Sequence, residues 1–193
     1  MRRLSSLFRL PSAIALCALL AAGPAPAFVL VNPARFVGGV PSGTWYDLTA
    51  FAGTDASEDL GDDAYLVWFP WTAPAGGNLT KFRFKVGAYT ANTDVKVGIY
   101  NIGGSLLVSG STTATGTGTF EMSVTSTAIT NGSSYFVAII GNNYPGGIQI
   151  AYKAGTGTFY YGDGSVGFYT MPSTLPSSSG SDSKTYAIGM FLE

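Results

Sequence analysis

Residues 64–101 read AYLVWFPWTAPAGGNLTKFRFKVGAYTANTDVKVGIYN, and this stretch decides the fold. From Leu79 to Val86 the side chains alternate: Thr80, Phe82, Phe84 and Val86 point one way, Leu79, Lys81, Arg83 and Lys85 the other. Such a period of two marks a strand with one face in a core. Val95, Val97 and Ile99 continue the apolar set on the next strand, with Asp94, Lys96 and Tyr100 outward. Antiparallel pairing about the AYTANT loop sets Phe82 against Ile99, Phe84 against Val97 and Val86 against Val95, so the large apolar groups share one face. The same register lays Lys85 opposite Lys96. Upstream, Tyr65–Trp71 is apolar at both parities, which predicts a strand covered on both sides.

The rest of the chain repeats this pattern. Short apolar runs at Phe28–Phe36, Trp45–Phe51, Leu106–Val108, Gly116–Val124, Tyr135–Ile140, Ile148–Tyr152 and Tyr186–Leu192 are separated by Gly, Pro and Asn-Gly turn signals. Pro33 places the first at a sheet edge. Thr54–Asp63 reads as an acidic loop, and Pro172–Ser183 as a low-complexity surface loop. No segment beyond residue 27 has helical periodicity. The expectation is an all-β domain: one two-sheet antiparallel β-sandwich, jelly-roll-like, of about nine strands.

Composition supports this and narrows the compartment. Hydrophobic residues make up 46% of the 193 and charged residues 11%, with 26 glycines, a balance suited to short strands and tight turns. Residues 1–27 read as a signal peptide, with a basic start at Arg2-Arg3, an apolar run over residues 13–22 and an Ala25-Pro26-Ala27 cleavage pattern. The apolar run is too short for a bilayer span, which needs about 20 residues. The expected product is a secreted or extracytoplasmic domain over residues 28–193, without a stable membrane span. Its loss of three of ten basic residues and none of eleven acidic ones leaves a net charge of −4. The only cysteine leaves with the leader, and the chain has no histidine.

The run FPWTAPAGGNLTKFRFKV, then VKVGIYNIGGSLLVSGS and AITNGSSYFVAI, resembles a jelly-roll module of bacterial exoproteins and phage-associated structural proteins. The resemblance spans roughly residues 64–140 and rests on core and turn positions. It implies the sandwich fold and a bacterial or phage setting, but no particular ligand.

Without His or Cys the domain lacks Ser-His-Asp and Cys-His machinery and the usual zinc ligands, and no Gly-x-Ser-x-Gly elbow is present. The acids cluster in one loop instead of flanking a substrate. A non-catalytic role is expected. Three features are candidate sites. Lys81, Arg83, Lys85 and Lys96, with Tyr100, form an outward basic stripe suited to an anionic glycan, or to shielding the sheet from edge pairing. Tyr144, Tyr160 and Tyr161 lie in Gly/Pro-rich segments where aromatic faces can stack on sugar rings. Asp55, Glu58, Asp59, Asp62 and Asp63 offer carboxylates to a structural calcium ion, although without EF-hand spacing, and no other cofactor is suggested. The leading expectation is a surface glycan-binding or adhesive module. Its alternative is a structural component of a phage-like particle or extracellular assembly, with protein partners. The negative charge and export argue against nucleic acid.

Overall fold

A computed structural model describes residues 42–54, 56–59, 66–142, 147–162 and 170–193. The signal-peptide reading and the Phe28–Phe36 strand fall outside these residues, as do Tyr144, Asp55, Asp62 and Asp63. The described residues form eleven strands and no helix: β1 (Thr44–Asp47), β2 (Ala56–Asp59), β3 (Leu66–Thr72), β4 (Gly77–Tyr89), β5 (Thr93–Asn101), β6 (Leu106–Ala114), β7 (Gly118–Ile129), β8 (Ser134–Gly141), β9 (Ile148–Gly162), β10 (Ser178–Tyr186) and β11 (Ile188–Leu192).

All pairings are antiparallel, and they fold into two layers. In the first layer β4 lies between β11 and β7, and β1 covers the far side of β11. The second layer runs β3-β8-β5-β6. Strand β9 joins the layers: Ile148–Ile150 pair with β4, whereas Tyr160–Gly162 pair with β3. The main core lies between the layers and includes Phe82, Phe84 and Val86 of β4, Val95, Val97 and Ile99 of β5, and Met122, Val137, Ile150, Ile188 and Met190. The architecture is the expected antiparallel sandwich.

The alternation in β4 and β5 holds, but their pairing does not. β4 bonds to β7, β11 and β9, and β5 to β6 and β8. Phe82 and Ile99 therefore belong to different layers around one core instead of facing each other along a hairpin, and the six-residue AYTANT segment passes between layers. Consequently Lys85 and Lys96 are not opposed; Lys85 is in register with Thr119, and Lys96 with Ser111 and Ile140. Leu79 is also corrected. Opposite β11, a bulge in β4 between Leu79 and Lys81 inserts Thr80 and turns Leu79 into the core, where it is fully buried.

Two predicted loops contain strands. Within the acidic segment, residues 56–59 pair with β9. Within the low-complexity segment, Ser178 starts β10, which follows β9 for most of its length. Strand β9 itself continues ten residues past the predicted end at Tyr152, to Gly162, and the strand predicted from Trp45 to Phe51 ends at Asp47. β8 is central as expected, flanked by β3 and β5.

Candidate functional site

The basic stripe binds the protein's own chain. Two side-chain rows cross the outer face of the first layer: Asp47, Gly189, Arg83 and Glu121, and beside them Trp45, Phe191, Lys81 and Ser123. Arg83 reaches over Gly189 and donates to Asp47 through Nε (3.0 Å) and Nη2 (2.6 Å). Its guanidinium lies 4.3 Å from the Trp45 ring and 4.5 Å from the Phe51 ring. A planar cation between two rings with a bidentate carboxylate is an arrangement that arginine, not lysine, satisfies. Lys85 donates to the Phe51 carbonyl (2.7 Å) and to Thr54 Oγ1 (3.3 Å). Lys81 stands over Phe191, which packs against Trp45. Together these contacts fasten residues 44–54 to β4.

Of the acidic candidates, Glu58 and Asp59 are described. Both oxygens of Glu58 accept from Lys184 Nζ at 2.9 Å, and Lys184 also pairs with Asp182 at 2.8 Å. Burial opposes the charge on Lys184, but hydrogen bonds and attraction from Asp182 and Glu58 prevail and raise its pKa to about 12. The hydrogen bond from Lys184 holds the Asp182 carboxyl below its ordinary range. Among the described residues no group of three or more potential ligands could hold a metal ion.

The remaining candidates separate by strand parity. Tyr161 packs against the main core beside Phe159, so it is not on the outer surface. Tyr160 points the opposite way, to the outer face of the second layer, where Trp68, its partner in register, stacks on it at 6.3 Å and 24°. Tyr100 also faces this side, but it is fully buried, which corrects the expectation that it is available to a ligand. It is covered by residues 170–176, which we call the strap.

Small residues make room for the strap. In register with Trp68 across β8 and β5 stand Ala138 and then Gly98. Met171 lies over Gly98, where a Cβ would come within 2.8 Å of its Cε. Tyr100 Oη donates to the Pro172 carbonyl (2.9 Å), Leu106 N to Ser173 O (2.9 Å) and Leu175 N to Gly104 O (2.8 Å). Gly104, at φ 80°, adopts the left-handed turn that lets its N–H bond Asn101 O.

The strap leaves a depression on each side. One, of about 270 Å³, is bordered by Lys96, Ser109, Ser111 and Met171. The other, of about 340 Å³, has Trp68, Phe136 and Tyr160 as its aromatic lining, Leu175 and Pro176 as a strap wall, and Ile102 at its lip. Ile102 is 66% exposed. Gly162 allows Pro176 to approach Trp68, because a Cβ there would lie 2.7 Å from Pro176 Cγ. Trp68 and Phe136 were not among the candidates read from sequence. Their only signal was apolar character at both parities in their strands, which implies a covered outer face without revealing what covers it.

No helix among the described residues is long and apolar enough to cross a membrane. Neither a protein-family model nor a curated protein matches the chain.

Proposed function

We propose that this protein is an exported, non-catalytic β-sandwich that binds a surface glycan, and that the cleft of Trp68, Phe136 and Tyr160 is where it does so. The cleft carries the reading: in this shallow, open depression the half-buried Tyr160 and Phe136, backed by the buried Trp68, offer aromatic surface that matches the alternating C–H and hydroxyl surface of a sugar ring. The strap's backbone hydrogen bonds and the buried Met171 fix the cleft wall, which lowers the ordering cost of binding. The test is a polysaccharide panel against purified residues 28–193, with Tyr160→Ala as the control. Binding that depends on Tyr160 is expected, and absence of binding to every polymer rejects the reading.

A second reading, a structural component of a larger assembly, draws on the exposure of Ile102 and Leu107 on and beside the β5–β6 turn, since apolar groups there suit a protein contact. Oligomers in light scattering, together with a blank glycan panel, would favour it.

A further inference from the structure

We infer that the ligand of the Trp68–Phe136–Tyr160 cleft is an uncharged saccharide held by its apolar face, and not the anionic polymer that the basic residues suggest. This inference rests on the reading of the cleft as a glycan site. The described residues lining the cleft include no Asp, Glu, Lys or Arg. A carboxylate or sulfate brought against such a wall gives up part of its hydration and gains no counter-charge.

The cations that suggested an anionic ligand lie elsewhere. Lys81, Arg83 and Lys85 project from β4 on the first layer, where Arg83 and Lys85 are bonded to Asp47, Phe51 and Thr54, and Lys96 of β5 borders the separate depression beside Met171. Trp68 and Tyr160 face outward from the second layer. A ligand seated on the rings is therefore on the opposite layer from the three β4 cations, and Lys96 is not among the residues lining its cleft. Trp68, only 5% exposed, backs Tyr160 at 24° from parallel, so the half-buried Tyr160 is the ring of the pair that a ligand can stack on. Stacking on that ring favours pyranose units with equatorial hydroxyls, whose axial C–H groups leave the sugar's faces apolar. At about 340 Å³ the cleft is near the small end of the usual ligand-pocket range of roughly 300–1,000 Å³, so it fits a chain terminus or short oligosaccharide.

The experiment is titration calorimetry of residues 28–193 with three probes: a β-linked gluco-oligosaccharide, an oligogalacturonate and a sulfated oligosaccharide. The neutral probe is expected to bind with an affinity that changes less than about twofold between low and high salt, because ionic screening acts on charges. Tyr160→Ala is expected to weaken it about tenfold, the scale of one lost ring stack. Ile102→Asp, at an exposed position, is expected to weaken it as well without disturbing the core. Binding confined to the acidic probes and falling steeply with salt overturns the inference but leaves the glycan reading standing. No binding by any probe overturns both. Neutral binding unaffected by either substitution overturns the assignment to this cleft.

Discussion

Gly189 stands between Asp47 and Arg83 in the row that crosses β1, β11 and β4, and its missing side chain is what lets the ion pair form. β1 and β4 are two strand spacings apart, roughly 9.6 Å, a gap that a long arginine spans only over an empty position. Gly189→Ala places a methyl group against both Asp47 Oδ1 and the Arg83 side chain, so a loss of about 1–3 kcal/mol is expected in urea denaturation. Arg83→Lys keeps the charge but removes the bidentate bond and the fit between Trp45 and Phe51, and about 1–2 kcal/mol should be lost. If Arg83→Lys is neutral, the clamp contributes nothing. Two tyrosines set the alkaline limit. Burial pushes the pKa of Tyr100 up, and burial followed by the Glu58 charge does the same for Tyr186. Because the folded values are raised, the associated stability is present below the ordinary tyrosine value of about 10 and is lost as pH rises through the folded values. Lys184, raised to about 12, acts in the same direction. The melting temperature should therefore fall steadily above pH ~10. Tyr100→Phe should flatten that fall while costing about 1 kcal/mol at neutral pH for the bond to Pro172.

Among elements, the strap is the piece that turns a covered sheet into a site. Met171 sits in the depression over Gly98, and Met171→Ala should destabilise by about 2–4 kcal/mol and loosen the cleft wall. A circular-dichroism melt combined with loss of protection at the Leu106 and Leu175 amides in hydrogen exchange would show both effects. Intact protection in a destabilised variant would mean that the backbone bonds alone hold the strap. These elements also show how far sequence reading extends. Parity is local, so the burial of Phe82, Phe84, Val95 and Val97 was legible in the alternation. Partner choice is not local: β4 selects β7, β11 and β9 because the layers must close over a shared core, and nothing in the AYTANT loop encodes that. Leu79 escaped because a bulge changes phase without changing composition. β10 escaped because SSGSDSK has no apolar face; it forms by adding to the edge of β9. The same limit hid half of the candidate site. Tyr160 could be named from its aromatic neighbourhood, whereas Trp68 and Phe136 became cleft residues only once the strap and β3-β8 were brought together.

At the scale of the whole molecule, sequence order and spatial order are strongly mixed. β11, residues 188–192, lies inside the first layer between β1 and β4, and its partner Phe84 is more than a hundred positions earlier. Ile188, Met190 and Leu192 are all buried in the main core. At about 1.5–3 kcal/mol for each large aliphatic side chain, their burial approaches the 5–15 kcal/mol that typically holds a domain together. Removing β11 also leaves the edge of β4 unpaired and takes Gly189 and Phe191 from beneath the Arg83 and Trp45 contacts. A chain ending at Ala187 should therefore lose cooperative unfolding altogether, seen as a broad, non-sigmoidal urea transition. The intact chain should unfold in one step but refold slowly, in milliseconds to seconds or longer, because distant pairings must close before most of the core forms. A sharp transition in the truncated chain would show that β3-β8-β5-β6 and β9 fold without the last strand. The clamp on residues 44–54 and the closure by β11 would then be later additions to a core already stable alone.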